Sequence, residues 1–171
     1  MLVIFSPTVK TRLNMFEIIM YLFESYMQID QSIEIDAQEI TDELLEEGFQ
    51  TSDISKALAW LDNLTSLHEQ NLQSKTQLAK ATSHRIYSAA EQHRISCDCQ
   101  GFISYLDQAD ILNTHTREVV IDCVMSLDVD ELTLPDLKWL ILMVLFNDPN
   151  SEDAFLQLES MLLDFEDGLI H

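Results

Sequence analysis

The sequence predicts an all-α chain with a minor β element, in which a winged-helix-like N-terminal part is followed by a helical C-terminal bundle. Three observations support this. Hydrophobic residues make up 47% of the 171 positions, while Gly and Pro number three each, too few to interrupt long elements. Apolar side chains recur at spacings of three and four through most of the chain. One stretch, SHRIYS, places Ile86 and Tyr87 between small polar residues, the composition of a short strand. A chain of this length buries roughly 70% of its unfolded surface, so one domain or two small ones can form without disulfide or metal staples.

Residues 1–14 read as an extension: Pro7 interrupts them and no core periodicity is present. Helical sequence begins abruptly at Met15, which is an expected translation start, and the extension is expected to be dispensable. MFEIIMYLFESYM is apolar nearly all round, with Glu17, Tyr21, Glu24 and Gln28 marking one wet stripe on a buried helix. In DAQEITDELLEEGF, Asp36 and Glu39 have capping-box spacing, Ile40, Leu44 and Leu45 set the buried face, and Gly48 supplies the stop. Thr51 or Ser52 then caps a third helix built on Ile54, Ala57, Leu58, Leu61 and Leu64. Trp60 and Leu67 fall on its wet side, as core or as a protein-binding face. Residues 69–83 lose the periodicity and read as a loop leading into the strand, so residues 75–94 form the wing. Residues 15–94 are thus the helix-turn-helix or winged-helix-like part.

Residues 95–171 read as the helical bundle. Ile95, Cys99, Phe102, Ile103 and Leu106 form one stripe, and Val119, Val120, Cys123, Val124 and Leu127 form another that starts near Asn113 or Thr114. Thr133 and Asp136 have capping-box spacing around Pro135, ahead of LKWLILMVLFN, which is apolar on every side but Lys138 and belongs at the centre. A last helix from about Ser151 to Phe165 turns Phe155, Leu158, Met161, Leu162 and Phe165 inward.

Charge divides the chain more sharply than composition does. Formal net charge is -21, yet residues 71–94 carry four basic residues and one acidic, between flanks of 3 basic and 13 acidic (1–70) and 2 basic and 16 acidic (95–171). Such a balance repels nucleic acid and anionic membranes, although a local patch dominates within about 8 Å, the Debye length. The longest apolar run, Trp139 to Phe146, is eight residues against the about 20 that a membrane span needs. Cys97, Cys99 and Cys123 are an odd number without disulfide-framework spacing and read as thiols in a reducing compartment, the cytoplasm.

Chemical sites are scarce. With glycine only at 48, 101 and 168, neither a GxxxxGK[ST] loop nor a GxGxxG turn exists to cradle phosphates, so no nucleotide cofactor is expected. HExxH, CxxC and GxSxG are absent. His93, Cys97 and Cys99 are the only metal-like cluster, but Cys99 belongs to the apolar stripe and a fourth ligand would have to come from the distant His84 or Cys123, so no metal site is expected. The carboxylates fall on solvated helix faces, where pKa values stay ordinary, and no catalytic residue is assigned.

The stretches MFEIIMYLFESY, DELLEEGF with DISKALAWLDNL, HRIYSAAE, CQGFISYLDQADILN with TREVVIDCVMSLD, and DLKWLILMVLFN together resemble the Smg family of bacteria. The resemblance runs from Met15 to His171 and leaves the first 14 residues outside it. It implies a small cytoplasmic protein, encoded in many species near genes for DNA processing and protein-synthesis factors, without an assigned biochemical activity and without catalytic residues to carry over.

The expected function is therefore that of a non-catalytic cytoplasmic interaction protein docking onto another macromolecule, a protein in the first instance, with no small-molecule substrate. Lys75, Lys80, Arg85 and Arg94 are the candidate partner-binding residues, directed at an acidic surface. Internal neutralisation of the acidic helices is the competing role for the same four. The alternative function is weak nucleic-acid binding through residues 75–94. The third helix cannot serve as a recognition helix, because Lys56 is outweighed by Asp53 and Asp62.

Overall fold

A computed structural model describes residues 15–27, 37–73, 85–129 and 132–167. These residues form eight helices and no strand: α1 (Met15–Met27), α2 (Ala37–Glu46), α3 (Thr51–Gln73), α4 (Ala89–Arg94), α5 (Cys97–Gln108), α6 (Thr114–Ser126), α7 (Leu134–Phe146) and α8 (Glu152–Asp167). The chain divides into two compact units, Met1–Leu61 and Asp62–His171, the division falling within α3.

In the first unit, α1 buries Met15, Phe16, Ile18, Ile19 and Leu22 and keeps Glu24 in water, the pattern its sequence dictates. Tyr21 donates its hydroxyl to Glu43 Oε1 at 2.8 Å, and its ring lies 6.3 Å from that of Phe49. Gly48 ends α2 at φ 95°, a left-handed conformation that favours glycine, and turns Phe49 into the core. Leu45, expected on the buried face, is 43% exposed: a ten-residue helix presents one narrow column inward, and Leu44 and Phe49 fill it. Trp60 is buried, as Ile54 and Ala57 are, so of its two readings the core holds and the binding face does not. The side chain of Leu67 and the cap Asp36 lie outside the described residues.

In the second unit α7 is central. It packs against α5, α6 and α8, while α6 also meets α4 and α5. Leu137, Trp139, Leu140, Ile141, Met143, Val144 and Leu145 of α7 are buried, as a helix apolar on almost every side requires. The starts are set by short polar side chains that satisfy otherwise orphaned N–H groups. Asn113 Oδ1 accepts from the N–H of His115 and Thr116 at 2.9 Å each, and Thr133 and Asp136 close the expected capping box around Pro135.

The winged-helix-like arrangement and its β element are absent from the described residues. A strand needs a neighbour for its N–H and C=O groups; residues 85–88 run without one. Ser88 instead caps α4, its Oγ accepting from Glu91 N while Glu91 Oε2 accepts from Ser88 N at 2.7 Å. Residues 69–73, expected in a loop, are the last turns of α3.

Candidate functional site

Of the four cations singled out between 75 and 94, Lys75 and Lys80 lie outside the described residues, and the structure places the other two. Arg85 sits one turn ahead of α4, at a height fixed by the Ser88 cap. Its Nη1 and Nη2 donate to the carboxylate of Glu91 at 3.0 and 2.8 Å, a bidentate pair, and its Nε donates to both oxygens of Glu118 on α6 at 2.9 Å. Glu118 also accepts from Arg117 Nε at 3.0 Å, and Arg117 Nη1 reaches Asp107 near the end of α5, again at 3.0 Å. Two guanidinium groups and three carboxylates therefore join the lead-in segment, α4, α5 and α6 in one network. Arg85 and Glu91 retain only 18% and 16% of their side-chain exposure.

This geometry moves the titrations. The hydrogen bonds from Arg85, aided by the backbone N–H of Ser88, hold the Glu91 carboxyl down to about 2. At Glu118 desolvation pushes upward, but the hydrogen bonds from Arg85 and Arg117 outweigh it and keep the group below the usual carboxylate range. The same carboxylates raise the affinity of Arg85 for its proton. Its guanidinium carbon also lies 4.9 Å from the ring centroid of Tyr87, whose phenol is pushed up by burial.

Arg94 turns elsewhere. Its Nη1 donates to Met125 O at 3.3 Å and to Leu127 O, at the C-terminal end of α6, where helix carbonyls lack intrahelical partners and the dipole favours a cation. Among the described residues of the second unit, all three arginines thus bind acceptors of the chain itself, and Lys138 Nζ stands 5.5 Å from the ring centroid of Phe102.

The segment held by these contacts exposes one large apolar side chain. Ile86, between Arg85 and Tyr87, is 90% exposed, more than Tyr105 (53%), Leu156 (53%), Leu45 (43%) or Phe146 (39%). The sequence reading does not single out Ile86 or the carboxylates Glu91, Glu118 and Asp107; the legible signal is Ser88-x-x-Glu91, a capping box that places a helix where a strand was expected.

The thiols part company. Cys97 is exposed at the start of α5, whereas Cys99 is buried with Sγ 3.8 Å from Leu132 O, and Cys123 is buried with its thiol pushed up to about 12 by desolvation. Among the described residues, no group of three or more His, Cys, Asp or Glu is arranged to hold a metal ion, and no helix is long and apolar enough to cross a membrane.

Comparison with known proteins gives one consistent relationship. The family model described as a protein of unknown function, DUF494, matches residues 15–171. The protein Smg homolog of Vibrio atlanticus is 46% identical over 157 residues, covering 92% of this chain and 99% of that protein. The Smg homologs of Aeromonas hydrophila and Photobacterium profundum are 43% and 46% identical over 157 residues, covering 92% of this chain and all of theirs. No solved structure matches the chain.

Proposed function

Because the chain belongs to the bacterial Smg family, whose DUF494 model spans it from residue 15 to 171, we propose that it is a non-catalytic cytoplasmic protein that works by docking onto another protein. The observation that carries this reading is the direction of its charges. The described arginines of the second unit are committed to internal acceptors, while large apolar side chains, Ile86 foremost, stand in water. A protein that binds phosphate presents its guanidinium groups outward; a protein that docks by apolar contact presents side chains such as Ile86 and Tyr105.

Arg85 and Arg94 accordingly act within the fold, and direct capture of an acidic surface falls to Lys75 and Lys80. Nucleic-acid binding through residues 75–94 has only the same two lysines to offer phosphates. Affinity capture from a native lysate, with and without nuclease, separates the readings. Retention of one protein after nuclease treatment, reproduced when that protein is the bait, supports protein docking. Release by nuclease refutes it in favour of nucleic acid.

A further inference from the structure

We propose that residues 85–94 are a releasable strap on α6, clasped by Arg85 at one end and Arg94 at the other, and that the strap opens as one unit while the rest of the helical unit stays folded. Closed, this stretch presents neither of its arginines to solvent partners; released, it presents both.

The strap has almost no apolar grip. α4 packs on α6, yet none of its six residues is buried, and Ala89 and Ala90 are exposed. Tyr87, half-buried under the Arg85 guanidinium, is the one larger apolar contact, while Ile86 stands 90% exposed. The hydrogen bonds from the strap to α6 come from the two guanidinium groups. Arg85 Nε donates to Glu118 at 2.9 Å, and Arg94 Nη1 donates to the carbonyls of Met125 and Leu127. Six residues are too few to stay helical once detached, so release also melts α4. The opening stops at Ile95, which is fully buried and precedes the Ser96 cap of α5.

The ion network divides cleanly along this line. Arg85 departs with its bidentate partner Glu91, and Glu118 keeps Arg117, which keeps Asp107 at 3.0 Å. No charge is orphaned inside the bundle, the outcome that makes the rupture of most buried pairs costly. The carbonyls that Arg94 leaves lie at the C-terminal end of α6, where water can replace it. A segment with few buried apolar contacts and water-accessible polar ties belongs to the low-stability end of a structure.

The test is amide hydrogen exchange of the full-length chain, followed residue by residue by NMR. The hydrogen-bonded amides of Ser88, Glu91, Gln92 and Ile95 span the strap. They are expected to share one opening free energy, with protection at least about a hundredfold below that of the slowest amides of α7 and little dependence on urea. Leu140→Ala, in the buried face of α7, is expected to speed exchange in α7 at least about tenfold and to leave the strap amides within about twofold of the parent, because the opened state keeps that core. Arg85→Met and Arg94→Met, at opposite ends, are each expected to speed all the strap amides about tenfold, with Arg85→Lys recovering part. Strap amides that follow α7 in Leu140→Ala overturn the proposal, since nothing then opens short of the whole unit. Should that variant not fold, a urea dependence of the parent's strap amides as steep as that of α7 overturns it equally. Acceleration confined to Ser88 and Glu91 in the Arg85 variant, or to Ile95 in the Arg94 variant, means fraying at one end and overturns release as a unit.

Discussion

Replacing Glu91 by Gln keeps the size of the side chain and an oxygen for the Ser88 N–H but removes the charge that Arg85 holds at 2.8 and 3.0 Å. A carboxyl lowered from 4.5 to about 2 corresponds to about 3 kcal/mol if fully realised. The pair is reached by water and salt, and surface pairs contribute about 0–1 kcal/mol, so about 1–2 kcal/mol is the working value for Glu91→Gln at pH 7. The pH dependence has a definite sign. The folded-state value lies below the unfolded one, so the unfolded chain takes up its proton first as the pH falls. The stabilisation is present in full above about 4.5 and is lost as the pH drops through about 2, with less than half remaining at about pH 3. The difference between parent and variant cancels what the two proteins share at each pH. Thermal or urea unfolding at a series of pH values is the assay, with an expected fall in midpoint of about 3–6 °C at pH 7. Equal stability of the two proteins at pH 7, or a difference that persists unchanged to pH 3, would refute the assignment of Glu91 to the network.

Three further outcomes follow from particular contacts. Gly101 lies inside α5 with nothing within 4 Å of where a Cβ would stand, so Gly101→Ala is expected to add about 0.5–1 kcal/mol; a lower thermal midpoint would contradict this. A thiol reagent such as dithiobisnitrobenzoate should modify one cysteine rapidly in the native protein, with Cys97→Ser removing that phase and Cys99 and Cys123 reacting only on unfolding. Arg94→Met keeps the aliphatic stem and strands the carbonyls of Met125 and Leu127, for an expected loss of about 1–3 kcal/mol read by urea unfolding, with Arg94→Lys recovering part.

What could be read in the sequence follows from where the physics is local. Periodicity places α1, α5, α6 and α7, and the caps Asn113 and Thr133 act as their side-chain chemistry dictates. Gly48 stops α2 because glycine tolerates the left-handed turn found there. The errors arise where two local rules compete. Ile86 and Tyr87 favour a strand on propensity, but Ser88 and Glu91 form a capping box, and without a neighbouring strand the cap decides. Leu45 was misread because helical spacing gives a face and not its width. For Trp60 the sequence leaves core and binding face both open, because amphipathicity along one helix does not show what covers it, and its burial decides for the core. Membership of the family was legible from ordered stretches along the chain, and the family model covers the same residues, 15–171.

The network as a whole was beyond local reading: Arg85 and Glu91 are six residues apart, but the bonds that tie α4, α5 and α6 together join more distant parts of the chain. Arg85 finds Glu118 33 residues on, Arg94 finds the carbonyls of Met125 and Leu127 31 and 33 residues on, and Arg117 reaches back ten to Asp107. For Arg85 and Arg94, the two described cations of the basic stretch, these partners lie within the fold. Self-repulsion opposes bringing acidic helices together. Cations placed where the lead-in segment, α4, α5 and α6 meet offset that repulsion at the contacts and fix which helix lies beside which. Scattered evenly, the same charges would screen less at those contacts and specify nothing. The role has a consequence for the surface: a segment whose charges are satisfied from within offers solvent what remains, and between Arg85 and Tyr87 that is the side chain of Ile86.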